Sequence, residues 1–346
     1  MIDFTGVKLQ SIVTHFVGNK LRDERIKVSS GEVNIVEGDT EKYLLKYFLS
    51  SFQDNEKFNF SNPTELSLNA VYTLISRIFS NTDSFYDNTV EISKHLYESS
   101  THPKVNAGEF TICLFENIFL DGIETTAIGL FKTEVKDVFL KFDPTKDNYT
   151  IKYENGVNIG KLDKGCIIFD VKVESGYTVC IVDSNKSNDT QYWKDDFLSI
   201  RPSADNYHFT KNFLSITKDF VTKQLSEEFE VSKADKIDLL NRSVDYFKNN
   251  EKFDKQEFEK KVFEDDSLIA SFQNFDKTFR KDNEIAPSEN FEISDKAVKK
   301  QARVFKSVLK LDKNFHIYIH GDKKLIENGT DETGRKFYKI YYEEEK

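Results

Sequence analysis

Apolar residues recur along this chain at two different spacings, and the change of spacing divides the sequence into segments. Apolar positions three and four residues apart, the period of one helix face, predict helices over 39–52, 66–79 and 87–99. Short apolar runs separated by a few polar residues then predict strands over 109–119, 124–132, 137–142, 148–153, 157–162, 166–173 and 177–183. Because these connections are too short for crossover helices, the sheet is expected to be mainly antiparallel.

Glycine-containing dipeptides indicate where the strands reverse. Asn155 followed by Gly156 predicts a two-residue hairpin turn, because a type I′ turn requires positive φ at both central positions. The Asp-Gly pair at 121–122 and the Ser-Gly pair at 175–176 predict two further reversals. Loose apolar alternation from residue 7 to residue 17 predicts an opening strand.

Beyond residue 200 the helical period dominates. Helices are predicted over 209–225, with Phe209, Phe213, Ile216 and Phe220 on the buried stripe, and over 233–249 and 255–264. The polar segment 280–290 is expected to be a linker, and strands near 314–320 and 336–342 close the chain. The fold class predicted is therefore α+β: a domain over 1–200 with a mainly antiparallel sheet packed by helices, then a largely helical region over 201–346 that ends in a small β-hairpin.

The segment 294–313, SDKAVKKQARVFKSVLKLDK, predicts a basic amphipathic helix with Ser294 as its N-cap. One stripe is apolar: Val298, Ala302, Phe305 and Leu309. A second stripe is cationic, and together with the adjacent Lys300 it forms the candidate nucleic-acid-binding set: Lys299, Lys300, Arg303, Lys306 and Lys310. Such a surface can contact phosphates, or it can be an ordinary solvated helix face whose lysines favour solubility.

Composition limits how nucleic acid could be bound. The chain has 346 residues and carries 49 basic against 59 acidic residues, a net charge of -10, so its surface as a whole cannot coat a polyanion. Any phosphate contact must come from a local patch. No apolar run is long enough to span a bilayer and the N-terminal residues lack the apolar core of a signal peptide, so a cytoplasmic protein is expected.

The sequence offers little that would support catalysis. It contains no phosphate-binding glycine loop, no dinucleotide fingerprint, no nucleophile elbow and no His-Glu zinc motif, so no cofactor and no metal are expected. The three cysteines, Cys113, Cys166 and Cys180, lie inside apolar runs and are expected to be reduced core residues. His316 and His320 share a strand face but stand about 13 Å apart, too far to bind one metal.

Two further features have competing interpretations. Asp121 followed by Glu134 and Lys136 has the spacing of the Asp…Glu-x-Lys pattern of metal-dependent nucleases, but a hairpin turn and a polar connection explain the same residues. The single tryptophan, Trp193, is either a stacking platform for a base or a core anchor, and its neighbours' helical spacing favours the core.

The order of these segments resembles the bacterial nucleoid-associated protein family, the NdpA-like proteins. The likeness is carried by GEFTICLFENIFLDGIETTAIGLFKTE, NIGKLDKGCIIFDV, YWKDDFLSIRPSADNYHFTKNFLSITKDFV and FKSVLKLDKNFHIYIHG. The resemblance implies a cytoplasmic protein that co-purifies with the nucleoid and can bind nucleic acid, with no established enzymatic activity or cofactor.

Three functions are therefore compared. The first is a non-enzymatic nucleoid-associated protein that binds nucleic acid, expected to be DNA, through the basic patch and with little sequence specificity. A homodimer is possible for this function. The second is a protein-interaction module recruited to the nucleoid by a protein partner, and the third is a Mg²⁺-dependent nuclease. Salt dependence separates the first two, because direct phosphate contacts weaken steeply as salt rises.

Overall fold

A computed structural model describes residues 1–35, 38–52, 56–184, 192–283, 285–303, 305, 308–319 and 325–344. The chain divides into two compact units, Met1–Ser203 (unit 1) and Ala204–Lys346 (unit 2). Both contain helices and strands, so the predicted α+β class is confirmed.

Unit 1 is built on one large sheet. Its strands are β1 (Ile2–Asp3), β2 (Lys8–Val17), β3 (Lys57–Phe60), β4 (Gly108–Leu120), β5 (Ile123–Thr133), β6 (Asp137–Pro144), β7 (Tyr149–Gly156), β8 (Lys164–Phe169), β9 (Thr178–Asp183) and β10 (Ile200–Pro202). Its helices are α1 (Thr40–Leu49), α2 (Ala70–Ser80) and α3 (Phe85–Ser99). The sheet runs in the order β1-β4-β5-β8-β9-β3-β10 with β2 on β4, while β6 and β7 form a separate pair.

Every strand pair in the large sheet is antiparallel, as predicted from the short connections. The β4–β5 hairpin turns at Asp121 and Gly122, whose φ angles are 53° and 84°. Positive φ at both positions confirms the turn expected from this Asp-Gly pair. The opening strand β2 and helices close to the predicted bounds are also present.

Two local predictions in unit 1 are wrong. Asn155 and Gly156 lie at the end of β7, paired with the start of β6, and the reversal occurs instead at Thr145–Asn148, where the Thr145 N–H donates to the Asn148 carbonyl at 2.8 Å. Residues 157–162 form a turn closed by the Asn158 carbonyl rather than a strand. For Asn155 and Gly156, the register between neighbouring strands, which is a tertiary property, prevails over the local turn signal.

Helices cover the large sheet on both faces. On one face α2 and α3 pack against residues such as Ile112, Leu130 and Ile168, and on the other α1 packs against Phe115 and Phe131. Burial on both faces explains why the strands read as nearly continuous apolar runs rather than as alternating ones.

The core side chains include those whose role was uncertain from the sequence. Trp193 is fully buried among Phe110 and Phe197, at ring distances of 6.3 and 5.0 Å, which confirms the core interpretation. The three cysteines are free and buried, as predicted. Burial raises the pKa of the Cys113 and Cys166 thiols, so neither is poised as a nucleophile.

Unit 2 is mainly helical. Its helices are α4 (Asn206–Asp219), α5 (Leu225–Glu228), α6 (Lys233–Asn249), α7 (Lys255–Val262), α8 (Asp266–Asp282) and α9 (Asp295–Ala302). Its strands are β11 (Lys252–Asp254), β12 (Asn290–Glu292), β13 (Val308–Leu311), β14 (Phe315–Tyr318), β15 (Ile326–Thr330) and β16 (Lys336–Ile340). They pair as β11–β12, β13–β14 and β15–β16, and the last pair is the predicted closing hairpin.

The predicted linker over 280–290 is partly wrong, because α8 extends to Asp282. Arg280 in its last turn is buried, and its Nε donates to Asp276 at 2.5 Å while its Nη1 donates to the Ala286 carbonyl at 2.8 Å. The guanidinium thus fixes the chain after the helix. The buried ion pair therefore places Arg280 in the interior of unit 2, whereas residues 281–283 at the end of the helix are exposed.

Candidate nucleic-acid interface

The basic segment does not form one long helix. The Ser294 hydroxyl accepts the Ala297 N–H at 3.4 Å, so the predicted N-cap is confirmed, but α9 ends at Ala302. After a short connection the chain enters β13, which pairs with β14 through a turn in which Asp312 has φ 46°. The helix predicted to reach residue 313 is therefore wrong in its second half.

Tertiary packing explains this change from helix to strand. Leu309 on β13 is buried in a cluster with Ile237 of α6 and Ile319. A strand paired with β14 places Leu309 in that cluster and satisfies the β13 backbone at the same time, which the local helical pattern could not anticipate.

The structure therefore distributes the predicted binding residues over two elements. Lys299 and Lys300 lie exposed in the last turn of α9, Arg303 is the exposed residue that follows it, and Lys310 is exposed on β13. Lys306 falls outside the residues that the structure describes. The single cationic stripe from Lys299 to Lys310 does not form, since it required a continuous helix.

Helix α9 is held firmly on unit 2. Ala297 and Val298 are buried, and the Ser294 N–H donates to the Thr210 hydroxyl of α4 at 3.0 Å. The lysines at the other end of α9 lie at the negative end of its macrodipole, which is favourable for cations. Their position thus has a structural benefit as well as a possible binding role.

Strand register brings Lys310 beside new partners. Lys310 is directly opposite His316, and Val308 is opposite Tyr318, so these four side chains share one face of the β13–β14 hairpin. Leu309 and Ile317 point to the other face, toward the core. Lys310, His316 and Tyr318 are all exposed, Tyr318 by 67%.

This face forms one wall of a groove of about 650 Å³. Helix α6 contributes four of the lining residues, and the chain at and after the end of α9 contributes Ala302 and Phe305. The lining is Asn241, Val244, Asp245, Lys248, Ala302, Phe305, Val308, Lys310, His316 and Tyr318. It thus combines apolar side chains with Lys248, Lys310 and the Tyr318 ring, and Arg303 follows the lining residue Ala302.

The arrangement suits a phosphate-bearing chain. Nucleic-acid strands bind in grooves where cations follow the backbone and aromatic rings contact bases. One carboxylate is present, since Asp245 lies 3.9 Å from Lys248, so the groove is cationic on balance rather than uniformly. Sequence reasoning missed Lys248, His316 and Tyr318 because strand pairing and the position of α6 bring them together.

The nuclease pattern does not assemble. Asp121 lies in the turn at one end of β5, where it pairs with Lys57 and the N-terminal amine, whereas Glu134 follows the other end. At about 3.3 Å per residue the strand separates them by more than 30 Å. Lys136 pairs with Glu109 instead, and in the described part of the chain no group of His, Cys, Asp and Glu side chains could hold a metal ion.

Glu134 belongs instead to a buried ionic network that the sequence analysis missed. Lys132 and Lys164 are directly opposite in register and almost fully buried, with Glu134 at 3.4 Å from the first and Asp183 at 2.8 Å from the second. The Tyr192 ring lies 5.7 and 5.3 Å from the two ammonium groups. Burial lowers the pKa of Lys132, and Glu134 opposes that effect. Lys132 falls at a core-facing position of β5 beside apolar residues, and that position in the strand pattern is the sequence signal for its burial.

His15 is the buried histidine of unit 1. Its Nδ1 accepts the Ser29 N–H at 3.2 Å, so the proton of the neutral ring is on Nε2, which lies 3.1 Å from the Thr89 hydroxyl. Burial lowers the pKa of His15 below its usual 6.5. The ring is therefore a structural element that favours its neutral form, and it does not approach a metal-binding group.

Fold and groove together define an α+β protein whose candidate surface is suited to a polyanion rather than to a metal ion. The chain matches the family model described as nucleoid-associated protein YejK over residues 13–335, nearly its whole length, and it belongs to that family. The family predicted from the sequence is thereby confirmed. None of the curated proteins compared with the chain matches it. In the part of the chain that the structure describes, no helix is long and apolar enough to cross a membrane.

Proposed function

We propose that this chain is a non-enzymatic protein of the bacterial nucleoid, in the cytoplasm, that binds nucleic acid directly and with little sequence preference. The proposed contact is a basic surface made of Lys299, Lys300, Arg303 and Lys310 together with the groove residues Lys248 and His316. The observation that carries the proposal is the pairing of Lys310 with His316 beside Tyr318 along a groove bounded by Lys248.

The chemistry of this surface is phosphate neutralisation. Each lysine or arginine that contacts a phosphate releases condensed counterions, which gives affinity without reading bases. The net charge of -10 confines such binding to a local surface, because the remaining surface repels a polyanion. DNA is the expected polyanion at the nucleoid, and a homodimer would present the surface twice. No cofactor or metal is needed for this function.

A protein partner that carries the chain to the nucleoid is the second candidate. The observation that favours it is the same acidic net charge, which opposes direct contact with DNA. The Mg²⁺-dependent nuclease is not proposed, because the residues of its pattern lie at opposite ends of β5.

A binding titration on purified full-length protein tests the proposal. Fluorescently labelled duplex and single-stranded DNA are titrated over a range of salt from about 50 to 200 mM, with the parent and with Arg303→Glu combined with Lys310→Glu. Loss of two phosphate contacts should weaken binding to all sequences alike and flatten the slope of log K against log salt by roughly two units. Both side chains are exposed, so the variant should remain folded.

A matched control keeps the charge change and moves it elsewhere in unit 2. Lys233→Glu combined with Lys260→Glu reverses two exposed lysines on α6 and α7 that do not line the groove. This control should keep most of the affinity and the parent's slope. Equal binding by the parent and the Arg303/Lys310 variant would refute direct contact through this surface and favour the partner-mediated candidate.

A further inference from the structure

The β6–β7 hairpin, called the arm below, has one face that is apolar apart from Asn155 at one end. Strand register places three residues of β6 and three of β7 on that face: Val138, Leu140, Phe142, Tyr149, Ile151 and Tyr153. Pro144 and Asn155 complete it at the two ends. The six apolar side chains are 58–71% exposed, although each is of a type that normally contributes to a core.

The opposite face of the arm is charged and internally satisfied. Lys152 lies 3.1 Å from Asp143, and Lys141 lies 3.5 Å from Glu154. Phe139, the one aromatic residue on this face, lies over Gly156, where a Cβ would come within 3.2 Å of its ring. The arm is therefore amphipathic, with a face suited to water and a face that is not.

Nothing in the described part of the chain covers the apolar face. The two strands pair only with each other among the described residues. A two-stranded hairpin is marginally stable in water unless its apolar face packs on something. At these exposed fractions the six side chains offer on the order of 700 Å², more than the few hundred Å² of contiguous apolar surface that soluble monomers usually expose.

We infer that the apolar face of the arm is a dimer interface, where it packs face to face against the same arm of a second copy of this chain. The exposed area is close to the roughly 800 Å² that each partner contributes to a standard stable interface. Two sheets pack in this way about 10 Å apart.

Charge also favours a second copy as the occupant. The face carries no ionised group, so a self-contact around a two-fold axis places no like charges opposite each other, even though each chain carries a net charge of -10. Lys141 and Lys152 remain in water on the other face. A two-fold contact uses the same patch on both copies and leaves none exposed, so assembly stops at the dimer. A nucleic acid is a poor occupant, because the apolar face offers no cation.

Two neighbouring residues of β7 supply a matched pair of variants. Ile151 points to the apolar face, and Thr150, the residue before it, points to the charged face. Ile151→Lys and Thr150→Lys add the same charge one residue apart. Only Ile151→Lys would bury an unpaired ammonium from each copy in the interface, which should weaken dimerisation on the order of 100-fold or more.

Sedimentation equilibrium and light scattering on the full chain measure the outcome across the micromolar range. The parent and Thr150→Lys should have twice the 40.3 kDa mass of the chain, and Ile151→Lys should be a monomer. Fluorescence of the buried tryptophan shows whether each variant is folded. As a second measurement, Ile151→Cys should be joined to its partner copy by a short bis-maleimide, whereas Thr150→Cys, on the other face, should not. The three native cysteines are buried, so they should not react with the reagent.

A parent that stays monomeric throughout this range would overturn the proposal. So would a parent dimer that Ile151→Lys leaves as tight as Thr150→Lys does, because the interface would then lie elsewhere. Neither result depends on nucleic-acid binding, so the dimer and the proposed function fail separately.

Discussion

Removing the Phe213 ring should be among the most destabilising single changes in unit 2. The residue is fully buried near the middle of α4. Its ring centroid lies 4.3, 5.1, 5.8 and 6.1 Å from those of Phe253, Phe258, Phe272 and Phe247. Phe→Ala in a packed core costs about 3–5 kcal/mol in total, and sites with several aromatic contacts lie toward the upper end of that range. With four such contacts we expect Phe213→Ala to lower the free energy of unfolding by about 5 kcal/mol.

Urea unfolding followed by circular dichroism at the helix band is the assay, because unit 2 is mainly helical. Tryptophan fluorescence, recorded in parallel, reports on unit 1, where Trp193 is buried. Phe209→Ala is the matched control: it lies one turn earlier in α4, is only partly buried, and has a ring contact with Phe291 at 5.7 Å. The control should lose clearly less stability. An unfolding midpoint for Phe213→Ala equal to that of the parent would refute the assignment of this face to the core.

Two further predictions concern buried ionisable groups. Because burial lowers the pKa of His15, the unfolded chain takes up a proton near pH 6.5, whereas the folded chain resists protonation. The stability contributed by the neutral ring is therefore fully present above pH 6.5 and is lost as the pH falls toward the folded pKa. His15→Asn should flatten this dependence in urea midpoints measured across that range, and parallel curves for parent and variant would contradict it. Asp183→Ala leaves Lys164 buried without its carboxylate and should lower the free energy of unfolding, measured by tryptophan fluorescence, by about 3–5 kcal/mol. Adding Lys164→Met should recover most of that loss. A loss below about 1 kcal/mol would show that the pair contributes little to stability.

The fold was largely predictable because its signals are local or nearly so. The helical spacing of residues such as Ile75 and Ile78, the apolar strand runs and the turn at Gly122 each depend on neighbours a few positions away. Helix α8 was the main omission: Leu268, Phe272 and Phe275 have helical spacing, but no helix was predicted between residue 264 and the linker over 280–290. Its last turn carries the buried Arg280–Asp276 pair, which a hydrophobicity pattern does not register.

The candidate site was much less predictable. The sequence located the cations of the basic segment but placed them on one helix, whereas Lys310 lies on a strand opposite His316. A cationic stripe at helical spacing is compatible with either structure until the partner of Leu309 is known. Lys248 joins the groove from α6, more than fifty residues earlier in the chain, so no local pattern could associate it with Lys310.

By itself, the sequence determined the α+β class, the antiparallel sheet and many of the apolar core residues, because these follow from side-chain hydrophobicity and backbone geometry over short distances, and its order of segments carried the resemblance to the family. Tertiary structure alone decided where α9 ends, that Asp121 and Glu134 lie at opposite ends of β5, and that the apolar face of the arm is uncovered. Those outcomes depend on strand register and on contacts between distant segments, where the free energy of burying a residue such as Leu309 exceeds the small local preference for continuing a helix.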